Sequence, residues 1–113
     1  MEYDLLSEIQ GKTKQLEVAV RQLRKSGTDK AQTERDYKIL LRQEALKLRD
    51  SGMAIGMIDK VIYGIPSVAE ARFRRDVADT VYQANLESIN SIKLQLRLLD
   101  AQIGREWGLN MKD

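Results

Sequence analysis

The sequence has no cysteine and no histidine, and it has only one proline and few aromatic residues. These absences exclude disulfides, thiol nucleophiles, His-based catalytic triads and the common kinds of zinc site. No run of about 18 apolar residues is present, so the sequence predicts no membrane span. Lys and Arg number 19 against 17 Asp and Glu, and the resulting net charge of +2 predicts no general attraction to nucleic acid or membranes.

What remains is the composition of an all-α protein, rich in Leu, Ile, Ala, Glu, Lys, Arg and Gln. A chain of 113 residues suits a single domain, 1–113. Apolar residues recur at alternating three- and four-residue steps, which is the spacing of one helix face. We predict an elongated, coiled-coil-like antiparallel helical bundle with two shorter helices, a connector helix and a long C-terminal helix, at about 3–25, 29–50, 53–62 and 67–106.

Local signals set these predicted boundaries. Ser26-Gly27 and Asp50-Ser51-Gly52 each predict a helix end, since glycine accepts the left-handed conformation found there. Pro66 disfavours helix at the residue before it. Ser67 and Glu70 have the spacing of a capping box, which predicts that the last helix begins at Ser67.

The last helix carries a long apolar seam. A helix of this length would extend about 60 Å, beyond the gyration diameter of roughly 26 Å for a globule of this size. We therefore expect a second copy to cover part of it and the chain to form a homo-oligomer, a dimer or higher. A plain antiparallel three-helix bundle is the alternative. The predicted oligomer seam is Ala78, Tyr82, Asn85, Ile89, Ile92, Leu96, Leu99 and Ile103, continuing a row that begins with Val68, Ala71 and Arg75.

Two polar residues interrupt this seam. A buried Asn85 would fix the register or the oligomeric state at a cost in stability. Arg75 needs a partner if it is buried, because an unpaired buried charge is costly, and Glu44 is the first candidate. Alternatively, the seam opens to solvent at both positions.

Nothing in the sequence predicts catalysis. Carboxylates occur in ordinary i,i+4 pairs such as Glu34 with Lys38 and Glu70 with Arg74. No metal-ligand spacing and no glycine-rich phosphate loop is present, so we expect no metal, no cofactor and no enzymatic activity.

The candidate binding residues are basic and aromatic, and they surround the start of the last helix. Arginines and tyrosines that converge between helices would hold a nucleotide-like anion by bidentate hydrogen bonds and stacking. The alternative is a solvated charged face whose long side chains cover the seam. The candidates are Tyr63, Ser67, Arg72, Arg74, Arg75, Tyr82 and Lys93.

One segment is similar to a helix-turn-helix. It reads Leu48-Arg49-Asp50-Ser51-Gly52, then Ile58 and Ile62, then Gly64-Ile65-Pro66-Ser67-Val68. It departs from that family's pattern in having Tyr63 as an extra residue before the glycine and Pro66 in the turn. The resemblance implies DNA binding, with Ser67, Arg72, Arg74 and Arg75 approaching the duplex. Alternatively, Gly52 and the Gly64–Pro66 segment only let a short helix pack between two long ones.

The whole chain resembles small all-helical proteins encoded by phages and prophages of Gram-positive bacteria. The resemblance is carried by Glu34-Arg35-Asp36-Tyr37-Lys38, Ile62-Tyr63-Gly64-Ile65-Pro66, Phe73-Arg74-Arg75-Asp76-Val77 and Arg105-Glu106-Trp107-Gly108. It implies a phage accessory that acts inside the bacterial cell. The acidic start Met1-Glu2-Tyr3-Asp4 is unlike a basic secretory signal and agrees with a cytoplasmic location.

We therefore expect a non-enzymatic binding protein. It would neutralise a bacterial host or defence factor, either by protein contact or by sequestering a nucleotide-like anion. One alternative is a DNA-binding protein or an accessory of phage DNA replication or recombination. Another is a structural assembly factor that uses the coiled coil alone.

Overall fold

The computed structural model describes the backbone of residues 2–112 and the side chains of residues 4–108. Its elements are helix α1 (Glu2–Asp50), helix α2 (Ile55–Val61), a 3₁₀ turn (Ile62–Gly64) and helix α3 (Pro66–Lys112). No strand occurs in the described part of the chain. The predicted all-α class, connector helix and long C-terminal helix are confirmed.

The prediction of two helices at 3–25 and 29–50 is wrong, because α1 is continuous through Ser26 and Gly27. Gly27 does not adopt the left-handed conformation that a helix end would need; among the described glycines only Gly52 has a positive φ. Ser26 is buried, and a Cβ at Gly27 would lie 3.5 Å from the Tyr82 ring. These two residues therefore lie where α3 packs against α1, and the helix continues through them.

The predicted end at Gly52 is confirmed. Gly52 has φ 92° and its N–H donates to the Arg49 carbonyl, while the Met53 N–H donates to the Leu48 carbonyl. This pair of hydrogen bonds is the Schellman arrangement, in which a glycine just beyond the last turn satisfies the exposed carbonyls.

The last helix begins one residue before its predicted start, at Pro66. Proline suits the first position of a helix, since its missing N–H has no intrahelical acceptor there. The predicted capping box is not formed, because the Glu70 carboxylate accepts a hydrogen bond from Arg74 instead. The predicted end near Glu106 is also wrong: α3 continues through Gly104 to Lys112.

The chain divides into two compact units. The turn unit comprises residues 25–82 and contains the end of α1, α2, the 3₁₀ turn and the start of α3. Its core is the cluster of Tyr37, Ile58, Ile62 and Val68, with Val68 fully buried. The contacts of Lys30 with Asp79 and of Tyr37 with Arg75 show that α1 and α3 run antiparallel in this unit.

The terminal unit comprises residues 2–24 of α1 and 83–112 of α3. Its buried apolar residues are Leu5, Ala19 and Ile89. The Asn85 side-chain amide donates to the Gln22 carbonyl at 3.4 Å and so links the two helices. Asn85 thus has a partner within its own chain.

The predicted seam is the inner face of α3: all of its members from Val68 to Ile103 are buried or half-buried. In each unit the facing helix is α1 of the same chain, as the contacts of Tyr82 with Gly27 and of Asn85 with Gln22 show. The length argument for a second copy assumed two short helices and fails with a continuous α1. Self-association therefore remains a prediction, and the length of α3 no longer supports it.

Candidate functional site

The three clustered arginines of α3 have three different partners. Arg72 places its guanidinium carbon 5.3 Å from the centroid of the Tyr63 ring. Arg74 donates to the Glu70 carboxylate at 3.1 Å. Positions 72 and 75 lie on one side of the helix and position 74 on another, and the three side chains contact Tyr63, Tyr37 with Asp76, and Glu70 rather than converging on one anion.

Arg75 is engaged inside the turn unit. Its guanidinium lies 2.9 Å from the Asp76 carboxylate and 4.5 Å from the centroid of the Tyr37 ring. The hydrogen bond to Asp76 raises the pKa of Arg75 above its ordinary value. Arg75 thus stacks on a buried tyrosine and donates from two nitrogens to Asp76, which leaves fewer donors for a ligand.

The predicted pairing of Arg75 with Glu44 is wrong. Glu44 accepts from Lys47 on its own helix at 3.2 Å. The antiparallel register places Arg75 at the level of Tyr37, two helical turns before Glu44. Register between two helices depends on tertiary packing, which the seam spacing alone did not specify.

Tyr82, another predicted binding residue, is half-buried between α1 and α3. Its ring lies against Gly27 and receives the Lys30 ammonium at 4.9 Å from its centroid. Lys30 also forms an ion pair with Asp79 at 3.0 Å, and this hydrogen bond raises the pKa of Lys30. Tyr82 therefore packs between α1 and α3, in contact with Gly27 and Lys30 of its own chain.

The remaining candidates are exposed. Ser67 lies in the first turn of α3, and Tyr63 lies on the 3₁₀ turn next to Arg72. Lys93 is exposed in the terminal unit, whereas the other six candidates belong to the turn unit.

A basic groove that the sequence analysis missed lies in the turn unit between α1, α2 and the 3₁₀ turn. It has a volume of about 560 Å³ and contains Lys38 and Arg42, one helical turn apart, together with Asp59 and Tyr63. Lys38 also forms an ion pair with Glu34 at 3.5 Å. Apolar side chains that include Ile39 and Ile62 form its floor. Of the predicted binding residues, only Tyr63 lines it.

A second groove, on another side of the turn unit, is lined by exposed apolar residues of α3. Phe73, Val77 and Val81, which we call the α3 apolar row, are 63%, 44% and 46% exposed. They face a groove of about 450 Å³ whose α1 side carries Asp29 and Asp36. Large apolar side chains are thus aligned along a helix face with carboxylates beside them.

A sequence signal exists for Val77 and Val81, and Phe73 lies outside it. Besides the predicted seam, α3 contains a second uncharged row at alternating four- and three-residue steps: Val77, Val81, Ala84, Ser88, Ser91, Gln95 and Leu98. The row on the other side of the seam includes Arg72, Asp76, Asp79, Lys93, Arg97 and Asp100. Comparing the two flanks of the seam, in addition to locating the seam itself, would have identified the uncharged flank.

Among the described side chains, those of residues 4–108, no group of acidic residues is arranged to hold a metal ion. None of the helical segments described has the length and hydrophobicity of a membrane span. Comparison of the chain with protein-family models, curated proteins and solved structures finds no match.

Proposed function

We propose that this chain is a non-enzymatic protein that acts by protein contact, as expected of a phage accessory that neutralises a bacterial host or defence factor. The observation that carries the proposal is the exposure of Phe73, Val77 and Val81 along one face of α3. Contiguous exposed apolar residues rimmed by charges are typical of protein-binding surfaces.

The geometry favours a helical partner. An amphipathic helix places apolar side chains at i, i+4 and i+8 into such a groove. Asp29 and Asp36 border the row on the α1 side. Basic side chains flanking the apolar face of the partner helix would therefore give charge complementarity.

A capture experiment tests this proposal. The purified chain and its Val77→Asp variant would each be used as bait in a lysate of the bacterial host. We expect Val77→Asp to abolish capture, because a carboxylate would be buried against apolar side chains. Gln83→Asp is the matched control, since Gln83 is an exposed uncharged residue on the opposite flank of the α3 seam.

Two outcomes would contradict the proposal. One is equal capture by the original chain and the Val77→Asp variant. The other is equal loss of capture with Val77→Asp and Gln83→Asp, which would indicate a general effect of added negative charge.

The DNA-binding alternative has weaker geometric support. Arg74 and Arg75 are paired with Glu70 and Asp76, so their charges are neutralised locally. Of the three arginines, Arg72 is exposed and lies over the Tyr63 ring rather than beside a carboxylate, so it is the one that would contact DNA. Duplex binding that falls steeply with salt, and that Arg72→Ala removes, would favour this alternative.

The basic groove supports a second candidate function, the capture of a nucleotide-like anion. Lys38 and Arg42 would contact phosphate, and Tyr63 would stack on a planar ring. A nucleotide panel at millimolar concentration should then raise the melting temperature, and Arg42→Ala should remove the shift. Absence of any shift across the panel would exclude this function.

A further inference from the structure

We infer that the α3 apolar row is covered by a second copy of this chain, packed antiparallel about a two-fold axis at Val77. The inference rests on the proposed function in one respect, since both require this row to be a protein contact surface. It adds the identity of the partner and the register of the contact.

The exposed surface is large enough for an interface of standard size. The chain exposes 8563 Å². A compact monomer of 12.9 kDa is expected to expose about 6300 Å², roughly a quarter less. A standard interface covers about 800 Å² on each partner, which is less than this difference.

The row itself is symmetric in sequence about Val77. Phe73 and Val81 each lie four residues from Val77 along α3. An antiparallel two-fold contact centred on Val77 pairs Phe73 of each copy with Val81 of the other, and Val77 with itself. Every large apolar residue of the row then has an apolar partner, as an isologous interface requires.

Charge complementarity supports the same contact. The contact between Lys30 and Asp79 places Asp29 at about the level of Val81, while Arg74 lies on the other side of Val77. The two-fold operation brings Arg74 of one copy to the level of Asp29 of the second copy, where its guanidinium has further N–H donors besides the one that Glu70 accepts. Two such ion pairs would flank the apolar centre and fix the antiparallel register.

The first experiment measures mass. Sedimentation equilibrium between 1 and 200 µM should give a mass that rises with concentration toward twice 12.9 kDa for the original chain and stays at 12.9 kDa for Val77→Asp. Gln83→Asp should remain dimeric. Circular dichroism of each variant checks that the helices are intact, and Val77→Ala provides a milder variant if Val77→Asp fails to fold.

The second experiment tests the register by crosslinking. The chain has no cysteine, so a single introduced cysteine has no background. Val77→Cys, at the proposed axis, should form a disulfide-linked dimer under mild oxidation, since symmetry places the two side chains next to each other. Gln83→Cys, on the opposite flank, should form several-fold less.

The third experiment exchanges charges. Arg74→Glu and Asp29→Lys should each weaken the dimer roughly tenfold by placing like charges opposite each other. The double variant restores opposite charges between the copies and should recover most of the affinity. Recovery of affinity in the double variant is specific to self-association, because binding to an unrelated protein would be weakened by both substitutions.

The outcomes separate this inference from the proposed function. A monomer up to 200 µM would overturn the inference, and so would a dimer unaffected by Val77→Asp. If the chain is a monomer but captures a protein from the lysate, and Val77→Asp abolishes that capture, the dimer is overturned and the proposed function is supported. A monomer with no Val77-dependent partner would contradict both.

Discussion

The two units of the molecule differ in how their helices are closed off from solvent. In the turn unit, α2 and the 3₁₀ turn pack onto α1 and α3, and Tyr37, Ile58, Ile62 and Val68 form one continuous core. The terminal unit has two helix segments and no third element. A third element turns a seam between two helices into an enclosed core, and this difference should appear in local stability.

The largest effect expected from this comparison concerns two matched isoleucines. Ile62 in the turn unit and Ile89 in the terminal unit are 4% and 5% exposed. Ile62→Ala should cost about 3–4 kcal/mol, because the enclosed cluster cannot collapse around the cavity, whereas Ile89→Ala should cost about 2 kcal/mol.

Urea unfolding of both variants measures these costs. Equal losses of stability for Ile62→Ala and Ile89→Ala would show that α2 and the 3₁₀ turn add no enclosure to the turn unit.

Two glycines inside α1 provide the next comparison. Gly27 lies in the turn unit against Tyr82, and Gly11, in the terminal unit, would have nothing within 4 Å of an added Cβ. Gly11→Ala should stabilise the chain by about 1 kcal/mol through helix propensity. Gly27→Ala should gain at least as much, because its Cβ would make an ordinary contact at 3.5 Å.

Thermal unfolding compares the two glycine variants directly. A lower melting temperature for Gly27→Ala than for the original chain would mean that Tyr82 cannot accommodate a methyl group there.

Asn85 tests the terminal unit alone. Its amide donates a long hydrogen bond, 3.4 Å, to a carbonyl that already belongs to a helix. Asn85→Leu should raise stability by about 0.5–1 kcal/mol, because apolar contact along the seam outweighs the polar contacts of the amide. Chemical denaturation with an unchanged m-value would measure this change in the free energy of unfolding. A destabilised Asn85→Leu variant would show that the amide is essential to the packing of the two helices.

The smallest effect concerns the Lys30–Asp79 pair of the turn unit. The pKa of Lys30 is raised in the folded chain by its hydrogen bond to Asp79. A raised pKa contributes stability below the unfolded value of about 10.4 and loses it as pH rises through the folded pKa. The melting-temperature difference between the original chain and Lys30→Met should therefore shrink above pH 10.4; a difference that stays constant to pH 11.5 would contradict this.

The sequence was sufficient for the all-α class, the inner face of α3 and the helix end at Gly52, because spacing and glycine chemistry are local. It failed at Gly27, which lies inside α1 against the Tyr82 ring. Both sites contain a glycine after a serine, and only tertiary contact distinguishes a close approach from a helix end. A continuous α1 then removed the length argument for self-association.

The candidate site was predicted less well than the fold. Clustering in sequence suggested that Arg72, Arg74 and Arg75 share a ligand, yet helical geometry directs them to Tyr63, Glu70 and Asp76. The grooves are lined by residues from elements distant in sequence, such as Lys38 of α1 with Tyr63 of the 3₁₀ turn. Such combinations depend on the register of α1 against the later elements, which periodicity does not determine.

The central claim is that the α3 apolar row is a protein contact surface, and methyl NMR across a concentration series tests it most directly. The Val77 and Val81 methyl resonances should shift or broaden between 10 µM and 1 mM, whereas those of Val68, fully buried within its own chain, should not. Val77 and Val81 resonances that are independent of concentration, and also of an added host lysate, would contradict the account.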